Sequence, residues 1–99
     1  MNEWKELWFS EREILRGKHR IDLLEEGSFD VDEVKINPKW KALLLTGIHR
    51  DLNGNERKAE LWAYLKADEE ELKKVETAGE SLQFGWEDYQ IDYLEEKEV

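Results

Sequence analysis

Five residues in the middle of the chain, Asp51-Leu52-Asn53-Gly54-Asn55, constrain the fold more than any other stretch, because they specify both a chain reversal and the register of what flanks it. Asp51 opens a type I turn with a side chain that accepts backbone N–H bonds. Asn53 tolerates the bridge region, and Gly54 supplies the left-handed residue of a G1 bulge. The flanking runs, WKALLLTGIHR before and ERKAELWAYLK after, then become the strands of a long β-hairpin over residues 40–66. The bulged turn sets Asp51 opposite Asn55, Arg50 opposite Glu56, Leu44 opposite Trp62 and Ala42 opposite Tyr64. A two-residue Asn-Gly turn would instead oppose Asp51 to Glu56 and Arg50 to Arg57, two like-charge pairs each unfavourable by a few tenths of a kcal/mol. In the favoured register Leu43, Leu45, Gly47, Ala59, Leu61, Ala63 and Leu65 share a core face. Leu44, Thr46, Ile48, Trp62 and Tyr64 share the other with Lys58 and Glu60, so that face is either covered by another element or offered to a partner.

The remaining elements are less strongly specified. Ser10 and Glu13 have the spacing of a capping box, and Gly27 stands where a helix would end, so the favoured reading of 11–26 is an amphipathic helix. Its weak point is Gly17: Arg16-Gly17-Lys18 also suits a hairpin turn between Glu11–Leu15 and His19–Leu24. Trp4, Leu7 and Trp8 have helical spacing and read as a separate turn or two against the sheet. Phe29, Val31, Val34 and Ile36 give two alternations interrupted at Asp32-Glu33, the pattern of a kinked edge strand, which Asn37-Pro38-Lys39 closes with a turn. Asp68 with Glu69, Glu70 and Glu71 predicts a short helix over about 68–77, with Gly79 as its C-terminal cap. Leu82, Phe84 and Trp86, then Tyr89, Ile91 and Tyr93, predict one bent strand or a strand pair. Residues 94–99 are expected to fray. The class is α+β: a single domain over 1–99 with a small antiparallel sheet built on the hairpin.

Ninety-nine residues suffice for one modest core. There is no cysteine, which excludes disulfides and thiolate metal sites. No apolar run is long enough to span a bilayer, and MNEWKELWF lacks the order of a signal peptide, so a soluble cytoplasmic protein without membrane partners is expected. Charge is unevenly placed: residues 1–66 carry 13 acids against 12 bases, whereas residues 67–99 carry 12 acids against 3 bases. Nearly all of the net charge of −10 lies in the last third, a property that bears on partners.

Catalytic and metal signatures are not found. Asp51, Asn53 and Asn55 fall at positions 1, 3 and 5 of a calcium loop, but the required glycine is Glu56 and the terminal carboxylate is Trp62. His19 and His49 lack partners at ligand spacing. The serines occupy cap or loop contexts, and no glycine pattern for a nucleotide occurs. Arg12, Arg16 and Arg20 would form one row on the candidate helix, able to meet phosphates or simply to be solvated. The sequence therefore points away from an enzyme and from any cofactor.

Two binding readings remain. In the first, the acidic last third engages a basic protein partner, with Trp86, Tyr89 and Tyr93 as anchors and Glu87, Asp88 and Asp92 steering association. Such a protein would act as an inhibitor or nucleic-acid mimic, a description that compact acidic inhibitors share in size and charge alone. In the second, Trp40, Trp62 and Tyr64 stack the bases of a single-stranded nucleic acid while Lys58 and its neighbours meet phosphates. A hairpin apolar on both faces is also compatible with a homodimer.

Overall fold

The computed structural model describes residues 3–94 and contains a six-stranded antiparallel sheet with three short helices. Its centre is the predicted hairpin, β4 (Ala42–Arg50) and β5 (Glu56–Leu65), with every expected pair in place from Arg50↔Glu56 to Ala42↔Tyr64. The turn forms as its residues dictate. Gly54 N–H donates to the Asp51 carbonyl at 3.0 Å, Gly54 has φ +86°, and the Asp51 carboxylate accepts from the Asn53 and Asn55 N–H groups. These bonds, that from Asn55 N–H foremost, hold the Asp51 carboxyl below its ordinary value.

On one side β5 pairs with β6 (Trp86–Tyr93); on the other β4 pairs with β3 (Ser28–Asn37). The interruption read at Asp32-Glu33 is a register shift between Val31 and Glu33, which keeps Val31 and Val34 both facing the core. β3 is, however, not an edge strand. Its second side is taken by β1 (Lys5–Leu7) near its end and by β2 (Arg20–Asp22) near its start. Strands of three residues leave almost no alternation to read; β2 falls within the second short strand of the alternative turn reading at Gly17, whereas nothing in the sequence announces β1.

Both corrections to the first third of the chain follow from these short strands. The segment 4–8 is extended rather than helical: Leu7 is buried, and Trp8 makes an isolated parallel bridge to Thr77. The capping box at Ser10 and Glu13 forms with both of its bonds, but α1 covers only Glu11–Leu15. Gly17, at φ +71°, reverses the chain, and residues 20–22 join the sheet. This non-helical path buries Leu23 and half-buries Ile21 against the core, and leaves Leu15 and Leu24 exposed. The row Arg12, Arg16, Arg20 is thereby broken up, with Arg20 in β2 at 3.9 Å from Asp30.

The predicted helix over 68–77 is also shorter. α2 spans Glu69–Lys73, with Asp68 in an extended N-cap conformation but without a side-chain capping bond. Thr77 then caps a further helix, α3 (Ala78–Ser81), by accepting from the Glu80 N–H at 3.2 Å. Gly79 lies inside α3, buried against the Glu13 carboxylate, rather than ending α2. Leu72, Val75 and Ala78 from this segment cover the core face of the sheet, packing with Leu43, Leu45, Leu61, Val34 and Ile36. Residues 95–99, expected to fray, lie outside the described residues. Among the described residues no helix is long and apolar enough to cross a membrane.

Candidate functional site

The helices that bury the core face leave the other face of the sheet without a helical cover. Along β4 buried and half-buried residues alternate, the half-buried ones being Leu44, Thr46 and Ile48 on the uncovered face. Ladder registers place Trp62 beside Leu44, Tyr64 beside Ala42, and Lys35 and Asn37 of β3 next in the same rows. Trp4, immediately before β1, meets Trp62 edge to face with ring centroids 5.7 Å apart, and meets Trp40 in the same manner at 6.0 Å. Trp40 is set by the turn after β3: Asn37, itself buried, accepts the Trp40 N–H at 3.2 Å through its side-chain oxygen. One end of the open face is thus an aromatic patch of Trp4, Trp40, Trp62 and Tyr64, in which Trp40 is 61% and Tyr64 47% exposed.

Next to this patch the face is acidic. Glu33 on β3, Glu60 on β5 and Asp92 on β6 fall in one cross-strand row, with Thr46 of β4 between the first two. Asp88 lies beside Tyr64 in the outermost aromatic row, and Glu6 beside Lys35. The cations on this face do not balance them. Arg50 is engaged by Glu56 at 3.0 Å and Asp30 at 3.5 Å, and Lys58 lies one row beyond Glu60. Lys39, near Trp40, sits 3.6 Å from Glu3.

β6 carries all six residues of the first binding reading and divides them between the faces. Asp88 and Asp92 alternate onto the open face with Gln90, whose side-chain amide donates to Asp92 at 3.0 Å. Tyr89 and Tyr93 alternate onto the other face and are tied inward. The Tyr93 hydroxyl lies 2.8 Å from Nδ1 of buried His49, and the Arg57 guanidinium covers the Tyr93 ring at 3.9 Å. The second His49 nitrogen lies 2.6 Å from the Glu26 carbonyl, which can only accept, so that nitrogen donates. Burial, together with a bond to the Glu26 carboxylate, pushes the Tyr89 hydroxyl above its ordinary value. Trp86 packs on the core and on Tyr89, with ring centroids 5.7 Å apart, and Glu87 is exposed at the register shift beside it.

Of the second reading, Trp40, Trp62, Tyr64 and Lys58 do share the open face, but among more carboxylates than cations. Sequence reasoning did not single out Trp4 or Glu33 for a binding role. Finding Trp4 required seeing 4–7 as extended, and placing Glu33 required the register shift at Asp32. Glu60 was visible beside Trp62 and Tyr64 in the hairpin register.

Elsewhere, the Asp51, Asn53 and Asn55 cluster spends its carboxylate on its own turn. Among the described residues no three His, Cys, Asp or Glu side chains are grouped to hold a metal ion. Comparison with family models, with curated proteins and with solved structures found no match to this chain.

Proposed function

We propose that this chain is a non-catalytic interaction protein that binds a basic surface of another protein through the open face of its sheet. The observation that carries the reading is the adjacency, on one helix-free face, of an aromatic patch and the cross-strand carboxylate row Glu33, Glu60 and Asp92. Trp40, Trp62 and Tyr64 supply rigid area to be desolvated, whereas the carboxylates with Asp88 steer a cationic partner and reject an anionic one. The sheet fixes Trp62, Tyr64 and the carboxylates, and the turn after β3 sets Trp40, so little order has to be imposed on binding. A partner whose basic cleft ordinarily holds nucleic acid has the matching charge, and in that case binding would amount to inhibition.

Titration of the tryptophan fluorescence with an arginine-rich peptide and, separately, with a single-stranded oligonucleotide tests this. The peptide should give a saturable, salt-reversible change and the oligonucleotide none. Charge reversal at Glu60 and Asp92 should weaken peptide binding by about tenfold. The same reversal at Glu69 and Glu70 on α2, equal in net charge, should leave it unchanged. Equal losses in the two variants would mean attraction to overall charge without a site. Quenching by the oligonucleotide would favour single-strand binding through Trp40, Trp62, Tyr64 and Lys58.

A further inference from the structure

We propose that β6 receives an extended segment of the partner as an added strand, and that this segment alternates basic with apolar residues. The inference deepens the reading above and rests on it for the partner's charge.

β6 is paired with β5 along one side, and no other described strand lies along its second side. Two backbone bonds at the ends of the ladder establish which of its groups face outward. Leu94 N–H donates to the Lys58 carbonyl at 3.0 Å, and Lys66 N–H donates to the Gly85 carbonyl at 2.8 Å. The even-numbered residues of β5 therefore bond toward β6, and their register partners Asp88, Gln90 and Asp92 bond back. The N–H and C=O groups of Tyr89, Ile91 and Tyr93 consequently point to the outer edge. The Tyr89 N–H agrees with that direction, being held at 2.8 Å by the side chain of Asp88. A carboxylate folded over an outward N–H is a device that discourages unselective strand pairing. A cationic side chain arriving with a new strand would draw that carboxylate away and leave the N–H for the strand's carbonyl.

The same alternation selects the occupant. An added strand continues the pleat, so its residues on the open face meet Asp88 and Asp92 and those on the other face flank Tyr89, Ile91 and Tyr93. Lysine or arginine suits the first set and aliphatic side chains the second. A second copy of this chain suits it poorly. Pairing two β6 strands would bring Asp88 and Asp92 of both copies onto one seam between molecules of net charge −10.

The probe is a blocked peptide of the same length as β6, eight residues, alternating arginine and valine. Two further versions are N-methylated at alternate amides, one on each parity. A strand adding to β6 uses the N–H groups of one parity only. One methylated version should therefore bind about tenfold more weakly than the parent, and the other should match it. Amide exchange at Ile91 and Tyr93 should slow in the complex. Equal binding by both versions would overturn strand addition while leaving the basic-partner reading intact. Failure of the unmethylated peptide to bind at low salt would overturn both. Protection of the Ile91 and Tyr93 amides that grows with protein concentration, without peptide, would also overturn the proposal, in favour of self-pairing.

Discussion

The Thr77 hydroxyl donates a 2.8 Å hydrogen bond to the carboxylate of Glu13, joining the first helix to the third across 64 residues of sequence. The same carboxylate accepts from the Ser10 N–H at 2.9 Å and from the Gly79 N–H, so one side chain closes a capping box and anchors α3. Glu13→Ala leaves these donors without their acceptor and should cost about 1–3 kcal/mol of stability, read from the midpoint of urea unfolding.

The Glu13 carboxyl also carries a pH signature. Burial raises its pKa, but the bonds from Ser10, Thr77 and Gly79 outweigh that and hold it below its ordinary value of 4.5. The unfolded chain then binds the proton more readily. The stabilisation is complete above 4.5 and is lost as the pH falls through the lowered folded-state value. Glu13→Gln should flatten the acid limb of the stability curve over that window. An unaltered limb would show that other carboxylates govern acid unfolding.

A Cβ on Gly79 would run into the Glu13 carboxylate. Gly79→Ala should therefore destabilise by about 1–3 kcal/mol through overpacking. The cost should shrink in the background of Glu13→Ala, because the colliding group is gone. A double-mutant cycle that is strictly additive would contradict the contact.

Gly54→Ala tests the hairpin turn. A methyl group there would have nothing within 4 Å, but the φ of +86° is strained for any side chain. A loss of about 1 kcal/mol is expected from the backbone alone. The ladder between β4 and β5, followed by cross-strand nuclear Overhauser effects, should keep its register.

Trp40 and Trp62 should separate stability from binding. Trp40 lies mostly in solvent beyond its contact with Trp4, so Trp40→Ala should change stability by about 1 kcal/mol or less. Its affinity for the arginine-rich peptide should nevertheless fall by about tenfold. Trp62 is half-buried, and Trp62→Ala should cost more in stability. A Trp40→Ala protein that binds as tightly as its parent would remove the aromatic patch from the interface.

Legibility tracked how local the determinants were. The hairpin could be read because turn chemistry, charge pairing and alternation in 42–65 all favour one register. The capping box was legible for the same reason, being complete within four residues. The extent of the helix it starts was not, because what ends α1 is the sheet: residues 20–22 gain a ladder with β3, and inside 11–26 only the turn signal at Arg16-Gly17-Lys18, the less favoured reading, points to a strand there. Likewise Trp4, Leu7 and Trp8 have helical spacing yet lie in and beside a three-residue strand. Of the candidate site, Trp62, Tyr64 and Glu60 could be placed on one face from the register, and Asp88 and Asp92 were singled out by charge. Their convergence was hidden, since it depends on β6 pairing with β5 in a particular alignment. The inward ties of Tyr89 and Tyr93 depend on Glu26 and His49, far away in sequence.

In the proposed function the open face, not the acidic surface at large, meets a basic partner. Mapping amide, indole and methyl chemical shifts while adding the arginine-rich peptide tests it most directly. The largest shifts should fall on Trp40, Trp62, Tyr64, Glu60 and Asp92. The methyl groups of Leu15, exposed on α1, should be unmoved. Shifts centred on α2 and its run of glutamates, with the tryptophan indoles at rest, would contradict it.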